Sequence, residues 1–312
     1  MKVFKNTNIS EKYKKSALAI GNFDGVHLGH QKVFKKTREI AKRKKMKFGV
    51  LTFTPLPVMF FNKKIKNFRL VSEDQKLKLL KKNKVDFVIN IKFNKFFFKI
   101  SAENFIKKIL YKKLNAKLLA VSNNFKFGRG RKGDVSLLKK FSYKYKYSLL
   151  NINPYKSSKK IVSSTKIRKY LEKGNISLAN KLLSKNWFID GTVKRGKKIG
   201  RKLGYRTCNI NIKNYILPKV GIYAVKVSIA NQKYIYNGVA YLGSRPTFGG
   251  KEILLETNIF GLKKNLYKKK LKVYFVKFLR KDFKFDNPLK LRKQMNKDVI
   301  LAKKGLKAKL VL

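Results

Sequence analysis

The only two histidines of this 312-residue chain, His27 and His30, stand three positions apart in Gly21-Asn22-Phe23-Asp24-Gly25-Val26-His27-Leu28-Gly29-His30. Imidazole donates hydrogen bonds and takes up charge near neutral pH, and residues three apart share a helix face. Together they could act on one anion. The flanking residues predict the local structure on either side. Ala17-Leu18-Ala19-Ile20 predicts a short buried strand, and the spacing of Val33, Phe34, Ile40 and Ala41 predicts a helix from Gln31 to about Lys45. The pair therefore falls where a strand gives way to a helix, where free N–H groups and the helix dipole favour a phosphate. The plainer alternative is a capping turn that carries two surface histidines.

Two further segments have the composition of a nucleotide site. Asn123-Asn124-Phe125-Lys126-Phe127-Gly128-Arg129-Gly130-Arg131-Lys132-Gly133-Asp134 follows a strand and reads either as a phosphate loop or as a flexible basic loop. Ser163-Ser164-Thr165-Lys166-Ile167-Arg168 opens a helix ending at Gly174. One hydroxyl there is explained by an N-cap, while three hydroxyls and a guanidinium also suit a polyphosphate. By contrast, Gly191-Thr192-Val193-Lys194-Arg195-Gly196-Lys197-Lys198 is not a Walker loop. It lacks the Ser or Thr after Gly-Lys, and no βαβ pattern surrounds it. Its glycines relieve barrel corners or wrap phosphates.

Around these residues the first half alternates strands and helices: Phe48–Phe53, a Pro-containing loop, a helix Glu73–Lys82, Val85–Ile91, a helix opening at Ser101 and running to about Leu114, then Lys117–Val121. This alternation predicts a parallel sheet with helices on both faces and ligands beyond the carboxyl ends of its strands. From Trp187 onward six short strands are expected: Phe188–Val193, Thr207–Ile212, Gly221–Ile229, Tyr234–Leu242, Ile253–Ile259 and Leu271–Leu279. They predict a small antiparallel barrel, followed by a helix from Pro288. Two domains, 1–184 and 185–312, are the expectation for this length.

The 79 basic against 15 acidic residues invite a nucleic-acid partner. Only 12 of the basic residues are arginine, and the lysines are spread along the chain, so no specific nucleic-acid reader is expected. Weak, non-specific polyanion binding would be a by-product. The single cysteine, Cys208, excludes an internal disulfide and a cysteine-based zinc site. No apolar leader and no run of membrane-span length occur, so a cytoplasmic protein without a membrane partner is expected.

The histidine segment, with Leu70-Val71-Ser72-Glu73-Asp74, Asn124-Phe125-Lys126-Phe127-Gly128 and Ser163-Ser164-Thr165-Lys166-Ile167-Arg168 in that order, resembles the FMN adenylyltransferase module of bacterial bifunctional riboflavin kinase/FAD synthetases. Gly200-Arg201-Lys202-Leu203-Gly204-Tyr205-Arg206-Thr207-Cys208-Asn209, Gly221–Val225, Asn237–Gly249, Leu255–Phe260 and Leu279–Phe285 resemble the family's riboflavin kinase domain. The resemblance spans nearly the whole chain. It implies a Rossmann-like nucleotidyltransferase domain followed by a six-stranded kinase barrel. It also implies two reactions, riboflavin to FMN and FMN to FAD, with ATP as co-substrate and Mg²⁺ as cofactor.

The implied roles follow position by position. His27 and His30 stabilise the α-phosphate during adenylyl transfer. Gly21, Asn22, Phe23, Asp24, Gly25, Asn124, Ser163, Ser164, Thr165 and Arg168 hold nucleotide and phosphates. Glu256 is the kinase base, Thr207 and Asn209 bind Mg²⁺ and ATP with Gly196, Gly200 and Lys202 beside them, and Arg280 and Asp282 face the flavin. The chain departs from the family pattern at Leu56, where His is frequent, and at Arg206 and Cys208, which replace Pro and Ala. Asp282 stands for Glu, and Asn258 and Gly261 for His and Asp. These departures bear more on the kinase than on the transferase.

Overall fold

The computed structural model describes residues 1–62, 64–65, 67–158, 160–195, 204–212, 215–244, 253–262, 264–306 and 310. The chain forms two compact units, one of residues 1–66 and 72–163, the other of 67–71 and 164–312.

In the first unit β1 (Lys2–Phe4), β2 (Ala17–Ile20), β3 (Phe48–Thr54), β4 (Phe87–Lys92), β5 (Leu118–Ser122) and β6 (Ser148–Ile152) pair in parallel, in the order β1-β4-β3-β2-β5-β6. The central strands are mostly apolar and buried, as a sheet covered on both faces requires. One face carries Leu18, Ile20, Leu51, Ile89 and Leu119 against Phe105, Ile106, Leu110 and Leu138. The other carries Ala17, Ala19, Val50, Val88 and Ala120 against Val33, Phe34, Ala41 and Leu80.

The helices include α1 (Leu28–Arg43), α2 (Glu73–Lys82) and α3 (Val135–Ser142). A Ser72–Gln75 capping box starts α2, and Asp134 caps α3. The helix expected after Ser101 forms as Ala102–Asn104 running into a π-helical stretch, Phe105–Lys113. The edge strands β1 and β6 and helix α3 have no counterpart among the expected elements. An antiparallel ribbon, β7 (Lys156–Ser157) with β8 (Lys160–Ile161), closes the unit.

The second unit opens with α4 (Ser164–Glu172) and α5 (Ile176–Leu183). Then β9 (Phe188–Lys194), β10 (Thr207–Asn211), β11 (Gly221–Ile229), β12 (Ile235–Ser244), β13 (Ile253–Ile259) and β14 (Lys270–Arg280) form a closed antiparallel barrel, ordered β10-β13-β12-β11-β14-β9. Ile189, Val193, Ile210, Tyr223, Val225, Leu242, Leu255, Val273 and Phe275 alternate into its interior. The terminal helix α6 (Pro288–Gly305) lies on the outside, where Ala302 and Leu306 meet Ala224, Val239 and Val276. Residues 67–71 also belong to this unit: Leu70 O accepts from the Trp187 indole at 2.6 Å, and Arg69 O from Ile216 N at 2.8 Å.

Candidate functional site

In the first unit β3 and β4 lie to one side of β2, while β5 and β6 lie to the other. The strand order therefore reverses between β2 and β5, the place where open parallel sheets bind ligands beyond their carboxyl ends. Gly21–His27 is the turn that leaves β2 at this point, and Asn124 follows the end of β5. Phe23 (φ 50°), Gly25 (φ 84°) and Val26 (φ 45°) put the turn in the left-handed region. Two of these are not glycine, so the turn holds backbone strain of the kind that gathers at functional sites.

His27 is both cap and candidate catalyst. It is 4% exposed, and its Nδ1 accepts the His30 backbone N–H at 3.4 Å at the start of α1. With Nδ1 accepting, the imidazole carries its proton on Nε2 and can donate from there. The two imidazoles stack with centroids 3.6 Å apart and planes 20° from parallel. Phe23 holds His30 edge-on at 5.2 Å and packs on Phe34. Gly29 makes the stack feasible, because a Cβ there would lie 3.1 Å from the His27 ring. The expected pair is thus built as one unit, in which the helix cap and the candidate catalyst are the same side chain.

Asp24 is buried, and Asn22 O accepts from the Thr52 hydroxyl at 3.2 Å. Asn124 Oδ1 accepts from the Ser122 hydroxyl at 2.8 Å. The glycines that follow answer to packing. Gly128 has φ 72°, and a Cβ on it would lie 2.6 Å from Ala102 Cα. Phe127 and Gly133 exchange backbone hydrogen bonds across the loop, which makes it a small closed hairpin.

Ser163 is half-buried in the first unit. Ser164 and Thr165 form the first turn of α4 in the second, Thr165 exposed and Ser164 half-buried. Arg168 is buried: its guanidinium lies 3.7 Å from the centroid of the Phe68 ring, and Nε donates to Phe68 O at 2.8 Å. Nothing in the residue pattern marks Phe68 as its support.

Barrel register assembles the kinase candidates. Lys194 on β9, Asn209 on β10, Glu256 on β13, Tyr241 on β12, Ile222 on β11 and Arg280 on β14 are successive cross-strand partners. Partners point to the same side, and Thr207 and Asn258 form the next pair along. This is the outer face, opposite the one that Ile210 and Leu255 turn inward. Glu256 is 8% exposed. Asn209 Oδ1 is buried without a hydrogen-bond partner among the described residues, an oxygen whose desolvation a ligand would offset. Tyr241 donates to Asp282 Oδ2 at 2.7 Å. Arg280 engages Asp298 of α6 with two 2.7 Å bonds, so its fork anchors the helix on the barrel. Two departures meet: Asn258 Nδ2 donates to Arg206 O at 2.7 Å, tying down the backbone just before Thr207. Cys208 faces inward, and burial pushes its thiol up to about 11. Gly196, Gly200 and Lys202 lie outside the described residues.

A left-handed turn carrying both histidines at the switch point of a parallel sheet, joined in one chain to a barrel with carboxylate, amide and hydroxyl in register, fits a two-module phosphate-transferring enzyme. Comparison with known proteins specifies which. The FAD synthetase family model matches residues 9–166, and the riboflavin kinase family model matches residues 183–306. The bifunctional riboflavin kinase/FMN adenylyltransferase of Buchnera aphidicola subsp. Schizaphis graminum is 40% identical, covering 95% of this chain and 96% of its own. Its counterpart from Haemophilus influenzae is 38% identical, covering 92% and 93%. A crystal structure described as a macrolide-efflux protein from Streptococcus pneumoniae has a TM-score of 0.84 at 27% identity, covering 96% and 98%. No helix among the described residues is long and apolar enough to cross a membrane. The chain belongs to the bifunctional riboflavin kinase/FMN adenylyltransferase family.

Proposed function

We propose that the chain makes FMN from riboflavin and ATP on the barrel, releasing ADP, and FAD from FMN and a second ATP at the histidine turn, releasing pyrophosphate. The in-register row Asn209–Glu256–Tyr241 on a barrel outer face is the observation that carries the pairing of the two activities. The activities divide between residues 1–184 and 185–312.

In the transferase step FMN phosphate attacks the α-phosphorus of ATP. His27 Nε2–H and His30 stabilise the charge that gathers on the α-phosphate oxygens, from a turn whose shape is set before substrate arrives. Gly21 to Gly25, Asn124 and the residues Ser163, Ser164, Thr165 and Arg168 hold nucleotide and phosphates. In the kinase step Glu256 accepts the proton of the ribityl 5′-hydroxyl as that oxygen attacks the γ-phosphorus. Arg280 and Asp282 set the flavin end of the row. Thr207 and the unpartnered Asn209 Oδ1 offer the hard oxygen donors that Mg²⁺ favours. When bound, the ion neutralises phosphate charge. The substrates are small molecules, with no specific nucleic-acid or membrane partner, and the cytoplasm is the compartment.

Chromatographic separation of flavins tests this reading. Protein given riboflavin, ATP and Mg²⁺ is expected to yield FMN and FAD, and protein given FMN is expected to yield FAD. FAD from FMN alone would mean a barrel without kinase activity. No product from folded protein would overturn both activities.

A further inference from the structure

Lys76 takes no part in either reaction as described, and it stands apart from the lysine surface. Its side chain is 4% exposed, and Lys185 alone among the other described lysines is comparably buried. Burying an ammonium is costly unless it is paired and hydrogen-bonded. Here the compensation forms a chain directed at the histidine turn. Lys76 Nζ donates to Thr52 Oγ1 at 3.3 Å, and Thr52, itself fully buried, donates onward to Asn22 O at 3.2 Å. On its other side Lys76 lies 3.5 Å from Glu73, whose carboxylate accepts from Asn90 at 2.6 Å and from the Thr54 hydroxyl at 2.9 Å. Successive links run from β4 through α2 and β3 to the first residues after β2.

We propose that Lys76 is a positioning residue for adenylyl transfer. It commits the Thr52 hydroxyl hydrogen to Asn22 O, and so holds the left-handed Phe23–Val26 turn that carries His27 and His30. The chain of bonds has a direction. The Thr52 oxygen takes its hydrogen bond from the ammonium, leaving its own hydrogen only the carbonyl of Asn22. Without the ammonium that hydroxyl is free to rotate, and the strained turn loses its brace. The effect belongs in the transition state, where imidazole placement matters most, more than in ground-state affinity for ATP.

This role rests on adenylyl transfer at the histidine turn, so His30→Ala is assayed beside it. Lys76→Met, Thr52→Val and the double variant are compared for FAD formation from FMN. Each single variant is expected to lose tenfold or more in kcat with KM for ATP changed less than threefold. The double variant is expected to be no slower than the slower single, because both cut one chain. Lys76→Arg, which keeps a charged donor, is expected to recover part of the loss. Wild-type kcat in Lys76→Met, or two losses that multiply, would overturn the proposal. Should Lys76→Met fail to fold, Thr52→Val alone decides it, since unchanged kcat there breaks the chain as proposed. Full activity in His30→Ala would instead overturn the placement of the reaction at this turn.

Discussion

Residue by residue, the two proposed sites share no side chain, so single substitutions should separate the reactions. His30→Ala is expected to lower FAD formation from FMN roughly 10²–10³-fold, the usual loss when a preorganised donor to developing charge is removed. FMN formation from riboflavin should be unchanged. Glu256→Gln is expected to do the reverse, lowering FMN formation about 10²–10⁴-fold, as the loss of a general base does. Flavin chromatography from both starting substrates reads both outcomes. Cys208 gives a pH prediction. Burial raises its thiol from 9.0 to about 11, so the folded chain favours the neutral form. That stability is intact below about pH 9 and is lost as pH rises toward 11. The thermal midpoint of wild type should therefore fall more steeply over this window than that of Cys208→Ala.

Elements explain how the departures from the family pattern are accommodated. Proline before Thr207 would stiffen the entry to β10, whereas here Asn258 on β13 pins the Arg206 carbonyl from the neighbouring strand. Asn258→Ala should lower kinase kcat/KM roughly five- to tenfold, about what one hydrogen bond near 1 kcal/mol provides, and leave adenylyl transfer unchanged in the same assay. Gly128→Ala should cost about 1–3 kcal/mol in urea unfolding, from the left-handed backbone and the collision with Ala102. Much of this level was legible in the chain itself. Central strands announce themselves as apolar runs, α2 falls on its expected span, and the barrel shows as six short strands with turn residues between them. Edge strands did not, since Lys2–Phe4 and Ser148–Ile152 are short, only partly buried and interrupted by polar residues. The histidine turn was visible because imidazole is rare here. Lys76 was invisible among dozens of lysines, and the row across the barrel depends on register, which no single strand encodes.

For the whole molecule, charge outweighs every other compositional feature. Several of the 15 acids are committed to internal tasks. Asp86 accepts Phe48 N–H, Asp134 caps α3, Asp190 accepts from Tyr215 and Asp298 holds Arg280. What remains is a surface of nearly one sign, which repels itself. Thermal midpoints should rise from about 0.1 M to about 1 M NaCl, as the screening length drops from ~10 Å to ~3 Å. The short segment 67–71 has another consequence. Its partners in the second unit, Arg168, Trp187 and Ile216, lie about a hundred residues or more downstream. At synthesis rates of roughly 5–20 residues per second, Phe68 and Leu70 leave the ribosome several seconds or more before those partners exist. The nascent chain must therefore shelter Phe68, Leu70 and Val71 in the interim, and a gene for the downstream half alone would encode a second unit that lacks them.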